Sequence, residues 1–135
     1  MIKRFNHVGI AVKDLKKAIA FFEEIYGAKV LRRDRYEEQL FETALVGVGD
    51  MRLELIAGLS PESLIARFIK DRGEGIHHMS LEVDQFDQVI QDFKARGLKI
   101  VGETEKEGFK AAFIHPLKNL GILTEIIEPK EEWGR

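Results

Sequence analysis

A chain of 135 residues with 44% hydrophobic and 33% charged residues is typical of one globular domain and excludes a disordered protein. The absence of cysteine excludes disulfides, thiol catalysis and thiolate-metal sites, so a metal would need histidine, carboxylate or water ligands. The formal charge of −2, the dispersed basic residues and the lack of a long apolar run predict a cytoplasmic protein without nucleic-acid or membrane partners.

The first half of the chain predicts one strand, one helix and three further strands. Residues 7–12 alternate in polarity, which is typical of a half-buried strand. Helical spacing of apolar residues follows from Leu15 to Tyr26, with Asp14 as the predicted N-cap and Gly27 as the predicted stop. The three strands are predicted at about 28–36, 40–48 and 51–57.

A short amphipathic helix is predicted between the two halves, within a connector at about 60–73. Ser60 has the chemistry of an N-cap, Pro61 suits the first helical position, and Gly73 marks the end. We interpret this segment as a plain linker helix that carries no chemistry.

The second half repeats the plan of the first. The segment that starts at His78 can be laid on the segment that starts at His7, with an offset of 78 − 7 = 71. Glu54 in MRLELI falls on Glu125 in ILTEII, and 125 − 54 is also 71. Two half-chains with a shared plan predict two structural modules.

In the second half the predicted helix covers the apolar positions from Phe86 to Phe93, with Asp84 as N-cap and Gly97 as stop. Its strands are predicted at 78–83 and at about 98–104, 109–115 and 121–128. We therefore expect an α+β fold, a single domain over 1–135, with two tandem βαβββ modules at about 1–58 and 74–130.

Alternation along each first strand places His7 and His78 on the face opposite to the apolar, helix-packing face. Glu54 and Glu125 lie in apolar strands, where a buried carboxylate needs a cation, a hydrogen-bonded partner or a bound proton. Alone, such a histidine is commonly a satisfied strand residue and such a glutamate a solvent-facing residue at a sheet edge, but the shared offset favours a metal site. Two imidazoles and two carboxylates suit a divalent first-row ion with two open positions.

Four segments then show a resemblance to known proteins: HVGIAVKDLKKAIAFF, ELIAGLSPESLIARFI, RGEGIHHMSLEVD and FIHPLKNLGILTEIIE. Nearly end to end, they resemble the vicinal oxygen chelate superfamily and, within it, the methylmalonyl-CoA epimerases. The resemblance implies a cupped mixed sheet around a metal site with helices outside. It also implies that His7, Glu54, His78 and Glu125 bind a divalent ion, which could be cobalt, manganese, nickel or zinc.

The resemblance further implies an acyl-CoA substrate whose (2R) and (2S) forms are interconverted by proton transfer at C2 through a metal-stabilised enolate. The acid and base would be Glu125, which is also a ligand, and Glu42, which is matched across a shortened EEQLFETAL segment. Glu37 and Glu38 are the next candidates for the second base. His77 and His115 are assigned supporting, substrate or structural roles.

Three alternatives remain open from the sequence. A lactoylglutathione lyase of the glyoxalase I type would use the same four ligand types, and a ring-cleaving dioxygenase would typically use two His and one Glu. A metal-free small-molecule binding protein of the same fold would need none of the four ligands. For assembly we expect a site completed within one chain and a homodimer of two chains.

Overall fold

A computed structural model describes residues 1–130, which contain three helices and eight strands. In chain order these are β1 (Ile2–Ala11), α1 (Leu15–Tyr26), β2 (Lys29–Tyr36), β3 (Phe41–Val48), β4 (Met51–Gly58), α2 (Leu64–Arg72), β5 (Gly75–Val83), α3 (Phe86–Ala95), β6 (Ile100–Lys106), β7 (Phe109–Ile114) and β8 (Thr124–Pro129). The α+β class and the two βαβββ modules are confirmed.

The chain divides into two compact units, which we name by their larger parts. The N-terminal unit is His7–His77, and the C-terminal unit is His78 onward together with Met1–Asn6. Strands follow the order β2-β3-β4-β1 in the N-terminal unit and β5-β8-β7-β6 in the C-terminal unit. In each unit the first strand of the module runs parallel to the last, and the other neighbours are antiparallel.

The strand registers repeat with the offset that the sequence predicts. Gly9 lies opposite Glu54 in the parallel pair β1–β4, and Ser80 lies opposite Glu125 in the parallel pair β5–β8. Both residues of the second pair are 71 positions after those of the first (80 − 9 and 125 − 54). The internal repeat is therefore a repeat of structure, not only of residue types.

One helix covers one sheet face in each unit. The residues buried between α1 and its sheet include Val12, Leu15, Ile19, Ala44, Val46, Leu55 and Ala57. The residues buried between α3 and its sheet include Val83, Phe86, Val89, Ile90, Ala112, Ile114 and Ile126. Because strand side chains alternate between faces, His7 and His78 must lie on the faces that these helices leave uncovered. We call these the inner faces.

The predicted ends of α1 are confirmed. The Asp14 side chain accepts a hydrogen bond from the Lys17 backbone N–H at 3.0 Å, and Gly27 ends the helix in the left-handed conformation at φ 67°. Gly73 likewise follows α2, as expected.

The predicted N-cap Asp84 is wrong. The N-cap position of α3 is Gln85, whose φ is 53°, and its side chain makes no capping hydrogen bond. Instead the Glu128 carboxylate on β8 accepts from the backbone N–H groups of Gln85 at 3.2 Å and Phe86 at 3.0 Å. Asp84 binds the amino-terminal ammonium of Met1 at 2.7 Å. A distant strand thus supplies the cap that the local sequence was expected to supply.

The predicted N-cap Ser60 is also wrong, because α2 begins three residues later than proposed. Ser63 is its N-cap and accepts from the Ala66 backbone N–H at 2.9 Å, while Ser60 and Pro61 lie in the preceding turn. Among residues 1–130, no helix is long and apolar enough to cross a membrane.

Candidate metal centre

The N-terminal unit carries His7 and Glu54 side by side on its inner face. His7 on β1 is buried, and the side chain of Glu54 on β4 is 24% exposed. The imidazole Nε2 lies 3.6 Å from the carboxylate Oε1. Both atoms are electron-pair donors, so the pair can bind one cation from adjacent positions.

The charge state of His7 decides whether this contact is an ion pair. Burial and, to a smaller extent, the positive charges of Arg52 and Arg32 together lower the pKa of His7 from 6.5 to about 4. The imidazole is therefore neutral near pH 7, and it is not the cation of an ion pair with Glu54. A neutral imidazole is the form that coordinates a metal ion.

The C-terminal unit carries His78 and Glu125 on its own inner face. His78 is buried and meets the ring of Phe113 edge-on, with centroids 5.7 Å apart. The Ser80 hydroxyl donates a hydrogen bond of 2.7 Å to Glu125 Oε1. Burial raises the pKa of Glu125 from 4.5 to about 7, although the Ser80 hydrogen bond opposes that rise. This carboxyl group can gain or lose a proton near neutral pH.

The donor chemistry of each unit fits a divalent ion. Each inner face offers one imidazole nitrogen and one carboxylate oxygen, a set typical of cobalt, manganese, nickel or zinc sites. Within residues 1–130, no buried side-chain nitrogen or oxygen lacks a hydrogen-bond partner. In the C-terminal unit the ligand-type carboxylate is already oriented by a hydroxyl, as metal-binding carboxylates commonly are.

The strand register places Glu42 on the other face of the N-terminal sheet. Glu42 on β3 pairs with Ala57 on β4, and Ala57 is buried in the cluster under α1. Cross-strand partners project to the same face of a sheet, so Glu42 shares the face of Ala57. Glu54 lies an odd number of residues from Ala57 on the same strand and therefore projects to the opposite face. The structure therefore does not bring Glu42 to the face of His7 and Glu54.

The two other candidates for the second base are exposed. Glu37 and Glu38 lie in the turn before β3, and Glu37 Oε1 accepts a hydrogen bond of 2.9 Å from the Nε of Arg35.

A buried polar network on the C-terminal inner face was not predicted. The Glu82 carboxylate is 1% exposed and is bound by Arg4 Nη1 at 2.7 Å and by Asn6 Nδ2 at 3.2 Å. The same alternation that assigned His78 and Ser80 to one face continues to Glu82. That pattern could have identified the residue, but not its partners from the beginning of the chain.

The two remaining histidines have contacts outside these donor pairs. His77 meets the ring of Phe68 edge-on with centroids 4.9 Å apart, and burial and then Arg72 lower its pKa. His115 Nδ1 accepts a hydrogen bond of 3.0 Å from the Leu117 backbone N–H. The His115 contact is structural, within the loop after β7.

Comparison with known proteins adds a family relationship to this geometry. A sequence model of the Glyoxalase/Bleomycin resistance protein/Dioxygenase superfamily matches residues 6–114. Human mitochondrial methylmalonyl-CoA epimerase is 35% identical over 127 residues, which cover 91% of this chain and 72% of that protein. The crystal structure of methylmalonyl-CoA epimerase from Mycobacterium tuberculosis is 31% identical, with a TM-score of 0.88 over 97% of this chain and 91% of that chain.

A second enzyme type is similar over a smaller share of the chain. Lactoylglutathione lyase from Neisseria meningitidis is 31% identical over 100 residues, which cover 74% of this chain and 71% of that protein.

Proposed function

Because the chain belongs to the glyoxalase/bleomycin resistance protein/dioxygenase superfamily and, within it, to the methylmalonyl-CoA epimerase family, we propose that it interconverts the (2R) and (2S) forms of methylmalonyl-CoA. The observation that carries this proposal is the near full-length similarity to epimerases, joined to a His–Glu pair repeated at the same register in both units.

We propose that His7, Glu54, His78 and Glu125 together hold one divalent ion, which is cobalt, manganese, nickel or zinc. The support is the neutral state of His7, the oriented carboxylate of Glu125 and the equal spacing of the two pairs along the chain. When bound, the ion supplies a Lewis acid that makes the C2 proton of the substrate more acidic. We assign the removal and return of that proton to side chains of the protein.

Epimerisation requires that a proton leave C2 on one face and return on the other. The family resemblance assigns one of these transfers to Glu125, the carboxyl group whose pKa burial raises to about 7 in the metal-free protein. The family resemblance assigns the second transfer to Glu42. Glu42 shares a sheet face with Ala57, which is buried under α1, and Glu37 and Glu38 are the alternatives.

The test of the reaction is incubation with methylmalonyl-CoA and a divalent metal in deuterated water. Removal and return of the proton should place deuterium at C2 and interconvert the epimers. The hemithioacetal of methylglyoxal and glutathione should give little product in parallel. The opposite pair of results would make the protein a lactoylglutathione lyase.

The test of the site uses metal content and turnover together. His78→Ala and Glu125→Ala should each lose both, because each removes a ligand; unchanged metal content in either would overturn the ligand assignment. Glu42→Gln should keep the metal and lose most turnover if Glu42 is the second base. Glu37→Gln tests the first alternative, and loss of turnover in that variant alone would transfer the role to Glu37.

We also propose a single domain over 1–135, a cytoplasmic location and a homodimer with each site completed within one chain. Mixed dimers of a His7→Ala chain and a Glu125→Ala chain test the last point. Sites within one chain leave both centres damaged, whereas sites shared between chains restore one intact centre and about half of the activity per dimer.

A further inference from the structure

The buried Glu82 carboxylate connects the beginning of β1 to β5 at two points. Its Oε2 accepts a hydrogen bond of 2.7 Å from Arg4 Nη1, and its Oε1 accepts one of 3.2 Å from Asn6 Nδ2. Arg4 and Asn6 are two residues apart on one strand, so their side chains project to the same side. Because each carboxylate oxygen has a separate donor, the contact restrains both the position and the rotation of this part of β1.

The internal repeat shows that the sheet itself does not require a carboxylate at this position. The residue of the N-terminal unit that corresponds to Glu82 is Ala11 (82 − 71). Ala11 is fully buried and packs with Ile56 and Ile65 in an apolar cluster. Burying a charged pair has a desolvation cost that offsets most of its Coulombic attraction, so an apolar replacement is commonly as stable. The charged network of the C-terminal unit therefore indicates a role other than stability.

The strand that Glu82 restrains also carries a proposed metal ligand. Strand β1 runs from Ile2 to Ala11, and within it Asn6 is followed directly by His7. Adjacent Cα atoms are about 3.8 Å apart across a planar peptide, so a displacement of Asn6 also moves the backbone of His7. Metal–ligand distances in proteins stay within about 0.2 Å of their ideal values. A small displacement of the ligand strand is therefore enough to weaken binding.

We propose that Glu82 is a positioning residue, which fixes the place of His7 by holding the preceding part of β1, without itself contacting the ion. This inference rests on the proposed function, in which His7 is one of the ligands. Replacing groups that orient metal ligands from outside the coordination sphere commonly weakens metal affinity by about 10-fold to 100-fold. Glu82 acts in this way through the backbone of one strand instead of through a hydrogen bond to the imidazole.

The test separates the position of the ligand from the stability of the fold. Arg4→Met/Glu82→Met replaces the ion pair by two apolar side chains, and Asn6→Ala removes the second donor while leaving the ion pair in place. The control is Asp84→Asn, which removes another carboxylate that binds the beginning of the chain, the partner of the Met1 ammonium group, at an exposed position. Each variant is measured by Co²⁺ titration against a competing chelator, by the visible absorption spectrum of the Co²⁺-loaded protein, and by urea unfolding of the metal-free protein.

We expect Arg4→Met/Glu82→Met and Asn6→Ala to bind Co²⁺ about 10-fold or more weakly than wild type. Their visible spectra should also differ from that of wild type, because the spectrum depends on the arrangement of ligands around the ion. The double variant should keep the free energy of unfolding of the metal-free protein, because no unpaired buried charge remains. Asp84→Asn should match wild type in all three measurements.

Wild-type affinity and spectrum in either inner-face variant would overturn the inference, as would equal weakening by Asp84→Asn. A loss of Co²⁺ affinity that is matched by an equal loss of unfolding free energy would assign the network to stability alone and would also overturn it. If the double variant does not fold, Asn6→Ala decides the question by the same criteria. A wild type that binds no Co²⁺ would instead overturn the proposed ligand set.

Discussion

Two titratable groups should change the stability of the metal-free protein in opposite directions as the pH falls. The pKa of His7 is lowered from 6.5 to about 4, so only the unfolded chain binds its proton in that range. Its stabilising effect is complete above pH 6.5 and is lost as the pH falls toward 4. The pKa of Glu125 is raised from 4.5 to about 7, so the folded chain binds the proton first. Its stabilising effect is complete below pH 4.5 and is lost as the pH rises toward 7.

The two effects are of similar size. The pKa of each group changes by about 2.5 (6.5 − 4 for His7, 7 − 4.5 for Glu125), which corresponds to about 3 kcal/mol at full extent. Between pH 7 and pH 4.5, each group should change the free energy of unfolding by roughly 2 kcal/mol. The two contributions nearly cancel in the wild type. Removing either group should therefore reveal the pH dependence that the other gives to the free energy of unfolding.

The assay is urea unfolding of chelator-treated protein at pH 7, 5.5 and 4.5, with the transition midpoint and slope fitted at each pH. Relative to wild type, His7→Gln should gain about 2 kcal/mol on going from pH 7 to 4.5, and Glu125→Gln should lose about 2 kcal/mol. Glu38→Gln, at an exposed position, is the control. Profiles for both inner-face variants that run parallel to wild type would refute the reasoning.

Three further substitutions test other contacts. Ser80→Ala should weaken metal affinity by about 10-fold to 100-fold in chelator competition, because Glu125 loses the hydroxyl that orients it, and Ser80→Thr should retain the affinity. Arg4→Met should lower the free energy of unfolding by about 2 kcal/mol by leaving Glu82 without its cation, and Arg4→Met/Glu82→Gln should recover part of the loss. Gly58→Ala should lower Tm, because the new Cβ would clash with the hydroxyl that caps α2.

The sequence was sufficient to predict the two modules and the face of each ligand pair. Side-chain alternation depends only on how many residues separate two positions of a strand, and the constant offset of 71 keeps these separations equal in both halves. The separation of His7 Nε2 and Glu54 Oε1 was not predictable, because it depends on which residues of β1 and β4 pair.

Glu42 shows how a residue that is matched to a family by alignment can lie on the opposite face of its strand. The turn before β3 passes through Leu40 at φ 63°, and the first paired residue after it decides which side chains face inward. Shortening such a turn by one residue exchanges the two faces of the strand. An alignment with a gap at this point matches residue types but cannot specify the register.

The error at Asp84 has a different physical cause. Local sequence supplies an acidic residue one position before the N-cap, but Glu128 on β8 binds the backbone N–H groups of Gln85 and Phe86, and Glu128 is 43 positions after Gln85. The ammonium group of Met1 then binds Asp84. Such competition between local and distant partners is settled by tertiary structure alone.

The division of β1 between the two units has a consequence for the order in which the protein can fold during synthesis. Residues from His7 to His77 form one unit, so a nascent chain can assemble it while the rest is still being translated. The preceding six residues belong to the other unit, and Arg4 and Asn6 find Glu82 only after 78 and 76 further residues have been made. Until then Arg4 and Asn6 lack the carboxylate that they bind in the folded chain. Slow translation of the segment after Glu82 would lengthen that interval, and fast translation would shorten it.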